Sequence, residues 1–224
     1  MITLATTEDV RERGAAVAVL PVGSFEQHGP HLPLATDTII ACTIAQAIAD
    51  AYPVRLLPPI TISCSHEHAA WPGTVSISAR TLYSVITDIA ESLHGIPLVV
   101  VNAHGGNYVL SNVVQESPRM ALYPTSADWA EARAAAGIET PSTTDMHAGE
   151  IETSILLHAH PEVVRPGYET ADHVADDRRH LLTTGLAPYT ASGVVGRPSR
   201  ASADKGRDLL AALVTGFGRH LATL

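Results

Sequence analysis

The sequence predicts a single α/β domain over residues 1–224, a three-layer α/β/α sandwich with a largely parallel central sheet. Short apolar runs alternate with segments of helical periodicity along most of the chain. Hydrophobic residues make up 46% of the chain and aromatic residues only 4%. The core is therefore mainly aliphatic, which suits helices packed closely on both faces of a sheet. No linker or internal repeat divides the chain into two units.

Five apolar segments indicate strands, at residues 17–22, 54–62, 75–77, 97–101 and 119–124. The first is rich in branched side chains and ends at Gly23. The fourth, PLVVV, is bounded by turn signals and is the clearest of the five. In the second, Pro58 and Pro59 remove backbone donors, so we expect an edge strand or one that ends early.

Apolar residues three and four apart predict helices over 39–51, 79–94, 108–115, 126–136, 151–157 and 203–221. Gly95 and Gly137 end two of them, Gly95 as a left-handed cap. Residues 161–193 have scattered charge and frequent Pro and Gly, and we expect a long surface loop that contributes to an oligomer contact or a lid. The strand, loop and helix order indicates βαβ units and hence parallel strands.

Charge and cysteine content exclude several classes of function. The formal net charge of -9 argues against nucleic-acid and anionic-membrane partners, because either would require a basic face. No apolar run reaches the ~18 residues of a membrane span, and the N-terminus does not resemble a secretory signal. Cys42 and Cys64 lack CxxC spacing and are expected to be buried free thiols. We therefore expect a cytoplasmic protein.

The loop after the first strand holds the first group of candidate ligands. Glu26 and His28 lie two residues apart, so in an extended segment their side chains share a face. Asp37 follows where a helix begins, and on its own it is better explained as a helix cap than as a ligand. Together, however, the three residues supply the oxygen and nitrogen ligands that a divalent cation needs.

A second group follows the strand at 97–101, in the sequence VNAHGGN. Ligands of open parallel sheets bind at the carboxyl ends of strands, which is where His104 lies. Gly105 would let the backbone approach a ligand closely. A plain turn is the alternative, but Asn102 and Asn107 crowd the same turn and favour a site.

The third group is DMHAGEIETS, residues 145–154, which contains His147, Glu150 and Glu152. Acidic residues in a first helical turn ordinarily compensate the helix dipole. That accounts for one glutamate against an apolar helix but less well for two, and it does not address His147.

The segment SHEHAAWPGT, residues 65–74, is the fourth group. His66 and His68 share a face if the chain is extended, and Trp71 has the character of a pocket wall. Substrate contact and an ordinary loop are both compatible with this pattern.

Five motifs together resemble the creatininase (creatinine amidohydrolase) family: PVGSFEQHGPHLPLATD, HEHAAWPGTVSI, VNAHGGN, DMHAGEIETS and GVVGRPSRASADKG. The family includes creatininase, a formamide hydrolase of archaeal flavin and deazaflavin synthesis, and the peptidase that trims the mycofactocin precursor peptide. The resemblance implies an α/β/α domain with two divalent metal ions, assembled as a homo-oligomer and often as a homohexamer.

The resemblance also implies roles for individual residues. It assigns one metal ion to Glu26, Asp37 and His104. It assigns the other to His28, Asp37 and Glu150, so that Asp37 bridges the pair.

The chain departs from creatininase at Gly106, where creatininase has a carboxylate ligand, and Glu150 is the expected substitute. His147 matches a catalytic histidine of the family and is expected to protonate the departing nitrogen. We expect Glu152 to support the ligands or to hold His147.

The expected chemistry is hydrolysis of a C–N amide bond by a hydroxide held between two ions about 3.5–4 Å apart. Mixed carboxylate and imidazole ligands suit Zn, Mn and Fe equally. The expected substrate is a small-molecule cyclic amide or formamide. The alternatives are a mycofactocin-type peptidase that trims a short precursor peptide, and a metal-binding protein without catalysis. The presence of His147 beside a full ligand set argues against the last.

Overall fold

The computed structural model describes residues 4–223, and its centre is a four-stranded sheet. The strands are β1 (Val17–Val22), β2 (Val54–Leu56), β3 (Leu98–Asn102) and β4 (Met120–Tyr123). Their order across the sheet is β2-β1-β3-β4, and every neighbouring pair is parallel. The predicted parallel sheet is confirmed.

Strand β1 lies inside the sheet and is buried along its whole length. Val17 and Val19 point into one hydrophobic cluster, whereas Ala18, Leu20 and Val22 point into the other. Because successive side chains of a strand point to opposite faces, a strand covered on both faces must be apolar at every position. This explains the unbroken apolar run that the sequence shows.

The described residues form eight helices: α1 (Thr7–Arg13), α2 (Thr36–Ala51), α3 (Ala79–Ser92), α4 (Val109–Gln115), α5 (Ser126–Ala135), α6 (Glu150–Ala159), α7 (Leu181–Thr184) and α8 (Ala203–Leu221). Helices α2, α5, α6 and α8 pack on the face of the sheet that carries Val19. Helices α3 and α4 cover the face that carries Leu20. The α/β/α sandwich is therefore confirmed, and none of the helices described in residues 4–223 is both long and apolar enough to cross a membrane.

Four elements differ from the sequence-based expectations, one of them helix α7 (Leu181–Thr184), which lies inside the segment expected to be a surface loop. The strand expected over 54–62 is regular only over Val54–Leu56 at the sheet edge, because Pro58 and Pro59 interrupt it. The expected strand at 75–77 is a single bridge from Val75 to Phe25. Helix α1 was not predicted, although its capping box, in which Thr6 and Asp9 each accept the other's backbone N–H, is a sequence signal for a helix start.

The pairing of β1 with β3 decides where the loops meet. Val22 lies directly opposite Asn102, so both strands end at the same edge of the sheet. The loop after β1 and the turn after β3 therefore start side by side. Glu26 and His104, which these two connections carry, are brought to one place.

Candidate metal centre

A buried cluster of carboxylates and imidazoles lies at the carboxyl ends of β1 and β3. Within residues 4–223, three sets of side chains have ligand atoms close enough to hold a metal ion. The sets are Glu26, Asp37 and His104; His28, Asp37 and Glu152; and Glu26, His28 and His147. Because the three sets share residues, they form one continuous site.

Close packing between the loop after β1 and the start of α2 aims Asp37 into this cluster. At Gly23 a Cβ atom would lie 2.3 Å from the Cα of Thr38, so only glycine allows the contact. Thr38 donates its hydroxyl to the Ser24 carbonyl (3.1 Å), and the Ser24 hydroxyl donates to Asp37 Oδ2 (2.6 Å). The N-cap residue of α2 is Ala35, without a side-chain cap. The explanation of Asp37 as a helix cap is therefore wrong.

The first ligand set joins Glu26, Asp37 and His104. His104 Nδ1 lies 3.0 Å from Asp37 Oδ2, and His104 Nε2 lies 3.2 Å from Glu26 Oε2. Both oxygens of Glu26 are buried, and neither accepts a hydrogen bond from any residue that the structure describes. A buried carboxylate without hydrogen bonds is costly unless a cation completes it, so this residue fits a metal ligand.

The second set contains Glu152 instead of the expected Glu150. His28 Nε2 lies 3.1 Å from Asp37 Oδ1 and 3.9 Å from Glu152 Oε1. The backbone N–H of Ala148 donates to Glu152 Oε2 at 2.5 Å and holds the carboxylate in place. Glu152 thus faces His28 and Asp37, the position we had expected Glu150 to fill.

Glu150 points away from the cluster, which corrects the sequence-based assignment. Its Oε1 accepts a hydrogen bond from Lys205 Nζ at 2.6 Å, and its Oε2 accepts the Thr140 N–H at 2.8 Å. Burial would raise the pKa of Glu150, but the hydrogen bonds from Lys205 and Thr140 hold it below its usual value. Residues two apart on a helix differ by about 200° in direction, so only one of the two glutamates can face the site.

Backbone carbonyls fix which nitrogen of each imidazole faces the site. His28 Nδ1 donates to the carbonyl of Glu26 (3.1 Å), His104 Nε2 to that of Cys64 (2.6 Å) and His147 Nε2 to that of Gln27 (2.5 Å). The other nitrogen of each ring is then free to accept a proton or a metal ion. In His28 and His104 that nitrogen faces Asp37.

The pKa values follow from this crowding. Burial lowers the pKa of a histidine, but Asp37 outweighs it and raises the pKa of His28 to about 10, and Glu26 and Asp37 raise that of His104 to about 9. Burial would raise the pKa of Asp37, yet these two imidazoles hold it well below its usual value. Burial raises the pKa of Glu26 to about 7. In the metal-free protein, protons thus lie between the ligand atoms, and a divalent cation that binds there would replace them.

His147 and Glu152 can be compared with the roles expected for them. His147 is buried and its Nδ1 lies 3.8 Å from Glu26 Oε1, so it borders the cluster as a proton carrier must. Burial holds its pKa well below the usual value. Burial raises the pKa of Glu152 to about 8. Glu152 belongs to a candidate ligand set, so its carboxylate faces the cluster itself and does not only support His147 from behind.

The residues expected to contact substrate lie in different surroundings, some buried and some exposed. His68 is buried in the cluster, with Nε2 3.1 Å from Glu26 Oε1, whereas His66 is exposed two residues away on the same 3₁₀ turn. Trp71 lies beside His68, with ring centroids 6.4 Å apart. Gly105 is exposed, with open space where a side chain would stand.

A groove of about 510 Å³ borders this cluster at Glu67 and Gly106. Its other walls are mainly apolar and include residues 181–187 and Tyr108. His66, one of the residues expected to contact substrate, also lines this groove. A larger cleft of about 980 Å³ between α1 and β2 contains none of the predicted site residues.

Two residues near the centre were missed in the sequence. Glu67 fills the space beside Gly106, since a Cβ at Gly106 would lie 2.2 Å from Glu67 Oε1. The available signal in the sequence was the SHEH segment, which places this glutamate between two histidines. The second residue is Gln27, which stands in the sequence between the candidate ligands Glu26 and His28. Its side-chain amide is buried and therefore requires hydrogen-bond partners.

A family model and a curated relative both match this chain over most of its length. The family model for creatininase, described as creatinine amidohydrolase, matches residues 3–221. A mycofactocin precursor peptide peptidase from Mycobacterium ulcerans (strain Agy99) is 37% identical over 211 residues, which cover 88% of this chain and 80% of the relative.

Two solved structures of creatininase, one named for Mn and one a variant of Zn-Zn type, have the same fold. Each aligns with a TM-score of 0.82 at 22% identity, over 97% of this chain and 95% of its own. The family match extends over nearly the whole chain, and the family model and the mycobacterial relative are named as an amidohydrolase and a peptidase. The chain therefore belongs to the creatininase family, and it is a hydrolase.

Proposed function

We propose that the chain binds two divalent metal ions and uses them to cleave a C–N amide bond of a small substrate. The observation that carries this proposal is the position of Asp37 between two ligand sets. Its Oδ1 lies 3.1 Å from His28 Nε2, and its Oδ2 lies 3.0 Å from His104 Nδ1. One carboxylate that faces two imidazole nitrogens, one with each oxygen, fits a bridge between two cations.

In this proposal, Glu26 and His104 complete one site and His28 and Glu152 complete the other. The unpartnered oxygens of Glu26 and the fixed ring nitrogens of both histidines support this division. Carboxylate and imidazole ligands are compatible with Zn, Mn and Fe, and the Mn and Zn-Zn forms of creatininase favour the first two.

Bound ions would supply an ionised water at neutral pH and polarise the amide carbonyl. The proton transfers are then assigned to His147. Its Nε2–H is held by the Gln27 carbonyl, so its Nδ1 is free on the side of Glu26. We propose that, as the ionised water adds to the carbonyl carbon, Nδ1 takes the proton that remains on the added oxygen and passes it to the departing nitrogen as the C–N bond breaks.

For the substrate, we propose a short precursor peptide of the mycofactocin type as the first candidate. The 37% identity to a peptidase of that class over 88% of the chain favours it. The groove beside Glu67 supports it too, because exposed Leu182 and Tyr108 at that groove would contact an apolar peptide side chain. A cyclic amide or formamide remains the second candidate, favoured by the likeness to creatininase.

The test is hydrolysis by protein loaded with Zn²⁺ or Mn²⁺, using a mycofactocin-type precursor peptide alongside lactams, hydantoins and formamides. We expect peptide cleavage that chelation abolishes and that His147→Ala reduces strongly. Cleavage of the small amides alone would move the assignment to the second candidate. A protein that binds metal but cleaves no amide would refute catalysis.

We also propose that the protein acts in the cytoplasm as a homo-oligomer, and specifically as a hexamer. Val174, 44% exposed on the 161–193 segment and outside the substrate groove, supports a subunit contact surface there. Light scattering after size-exclusion chromatography would measure the mass directly. A purely monomeric species at micromolar concentration would contradict this part of the proposal.

A further inference from the structure

Gln27 lies between two candidate ligands, and its side-chain orientation is decided by two backbone groups. The N–H of Gly29 donates to Gln27 Oε1 at 2.9 Å, so the oxygen must be on that side. The Gln27 Nε2 atom donates to the carbonyl of Gly193 at 3.2 Å, so the NH₂ group must be on the other. Neither partner can reverse its role, and the amide therefore has one allowed orientation.

The second hydrogen of this NH₂ group points at His68. Gln27 Nε2 lies 2.9 Å from His68 Nδ1, and an amide nitrogen can only donate. His68 Nδ1 must therefore accept, which leaves the proton of the neutral ring on Nε2. That nitrogen lies 3.1 Å from Glu26 Oε1, inside the metal centre.

His68 thus differs from the other histidines of the cluster. In His28, His104 and His147 a carbonyl holds the protonated nitrogen and leaves the other nitrogen free on the side of the site, although the protonated Nε2 of His104 also lies 3.2 Å from Glu26 Oε2. In His68 an amide donor holds the free nitrogen, and the protonated nitrogen faces the site. The arrangement is reversed because Gln27 supplies a donor where the other rings meet acceptors.

We propose that Gln27, held by Gly193, fixes the proton of His68 on Nε2, so that the ring nitrogen nearest Glu26 Oε1 carries a proton and cannot bind a metal ion. Gln27 and His68 are then positioning residues. A protonated ring nitrogen 3.1 Å from the carboxylate stabilises its ionised form, and thereby its orientation toward the ion, by electrostatic attraction. This inference rests on the proposed metal centre only for the role of Glu26, since the proton position on His68 is independent of it.

The proposal gives a function to the glycine that opens the GVVGRPSR segment. A Cβ at Gly193 would lie 1.8 Å from Gln27 Oε1, and the φ of Gly193 is +88°, which disfavours any other residue. Gly193 therefore brings its own carbonyl against the Gln27 amide. The fifth sequence motif contributes to the site through this contact.

The test reads the proton position directly, by NMR of protein labelled with ¹⁵N-histidine, with the His68 signals assigned by their loss in His68→Gln. We expect protonated Nε2 and unprotonated Nδ1 in the metal-free protein, unchanged when Zn²⁺ is added. A proton on Nδ1, or a shift of Nε2 that indicates direct coordination of zinc, would overturn the proposal. This readout does not depend on amide hydrolysis.

A matched pair of variants tests Gln27 itself. Gln27→Glu places an acceptor against His68 Nδ1, so the proton should move to Nδ1, and Zn²⁺ affinity should fall roughly 10- to 100-fold in competition with a chelator. Gln115→Glu makes the same change on the exposed end of α4 and should alter neither. If Gln27→Glu keeps the wild-type proton position, or binds zinc as the wild type does, the assignment is wrong.

Discussion

The two glutamates at the start of α6 offer the sharpest test of the site, because Glu150→Gln and Glu152→Gln should fail in opposite ways. Glu150 is fully buried and paired with Lys205, whose side chain is 18% exposed. Breaking a buried ion pair by removing one charge costs about 3 kcal/mol or more. For a chain of this size, about 1 kcal/mol shifts Tm by roughly 2–4 °C, so we expect a decrease of about 6–12 °C for the metal-free Glu150→Gln protein.

Glu152→Gln should leave that Tm within a few degrees, because His28 is the one cationic side chain that the structure pairs with Glu152 among the residues it describes. It should instead lose metal. Calorimetry on the metal-free proteins and elemental analysis after dialysis against the ion measure the two effects separately. Loss of metal in Glu150→Gln with an unchanged Tm, together with full metal content in Glu152→Gln, would refute the placement of both carboxylates.

Four further predictions follow from the site. Asp37→Ala should release both ions, measured by elemental analysis, and retention of either would contradict the bridge. His147→Ala should keep its metal but lose roughly 10²-fold in turnover on whichever amide the wild type cleaves, and full activity would exclude it as the proton carrier. Because the pKa of His28 is raised to about 10, its proton is bound at pH 7 and must leave when a metal ion binds. Calorimetric titration with the metal ion in buffers of different ionisation enthalpy should therefore show proton release at pH 7. The number of protons released should decline as the pH approaches 10, and the metal affinity should rise over the same range. Metal binding without proton release would contradict the assignment. Gly106→Ala should lower both Tm and metal affinity because the added Cβ has no space, and it should reduce the free energy of unfolding by about 1–3 kcal/mol. The control Gly105→Ala should change Tm little. Equal effects of the two variants would refute the close packing at Gly106.

The fold could be predicted largely from the sequence because its core follows simple periodicity. Strand β1 was an unbroken apolar run, and α8 showed an apolar face over Ala203–Leu221, the same range that the structure has. The prolines after β2 correctly indicated an edge strand that ends early. Helix α1 was missed because its sequence is polar and only its capping box marks it.

The site could be predicted only in part. Glu26, His28, Asp37 and His104 come together as expected, because their positions depend on neighbouring strand ends. The choice between Glu150 and Glu152 depends on the rotation of α6 about its axis, which turns Glu150 toward Lys205 of α8, the single lysine of the chain. Motif position does not contain that information.

The positions of the protons on the histidine rings could not be predicted from the sequence. The role of Gln27 depends on the carbonyl of Gly193 and the N–H of Gly29. The direction in which a loop points its backbone groups cannot be read from the order of side chains in the sequence. For the same reason Glu67 could not be placed in the space beside Gly106. Such features require coordinates.

The central claim is that two cations share Asp37, and anomalous diffraction from crystals of protein loaded with Zn²⁺ or Mn²⁺ tests it most directly. We predict two anomalous peaks in one cavity, one in contact with Glu26 and His104 and the other with His28 and Glu152, with Asp37 between them. A single peak, or a second peak bound by Glu150, would contradict the account.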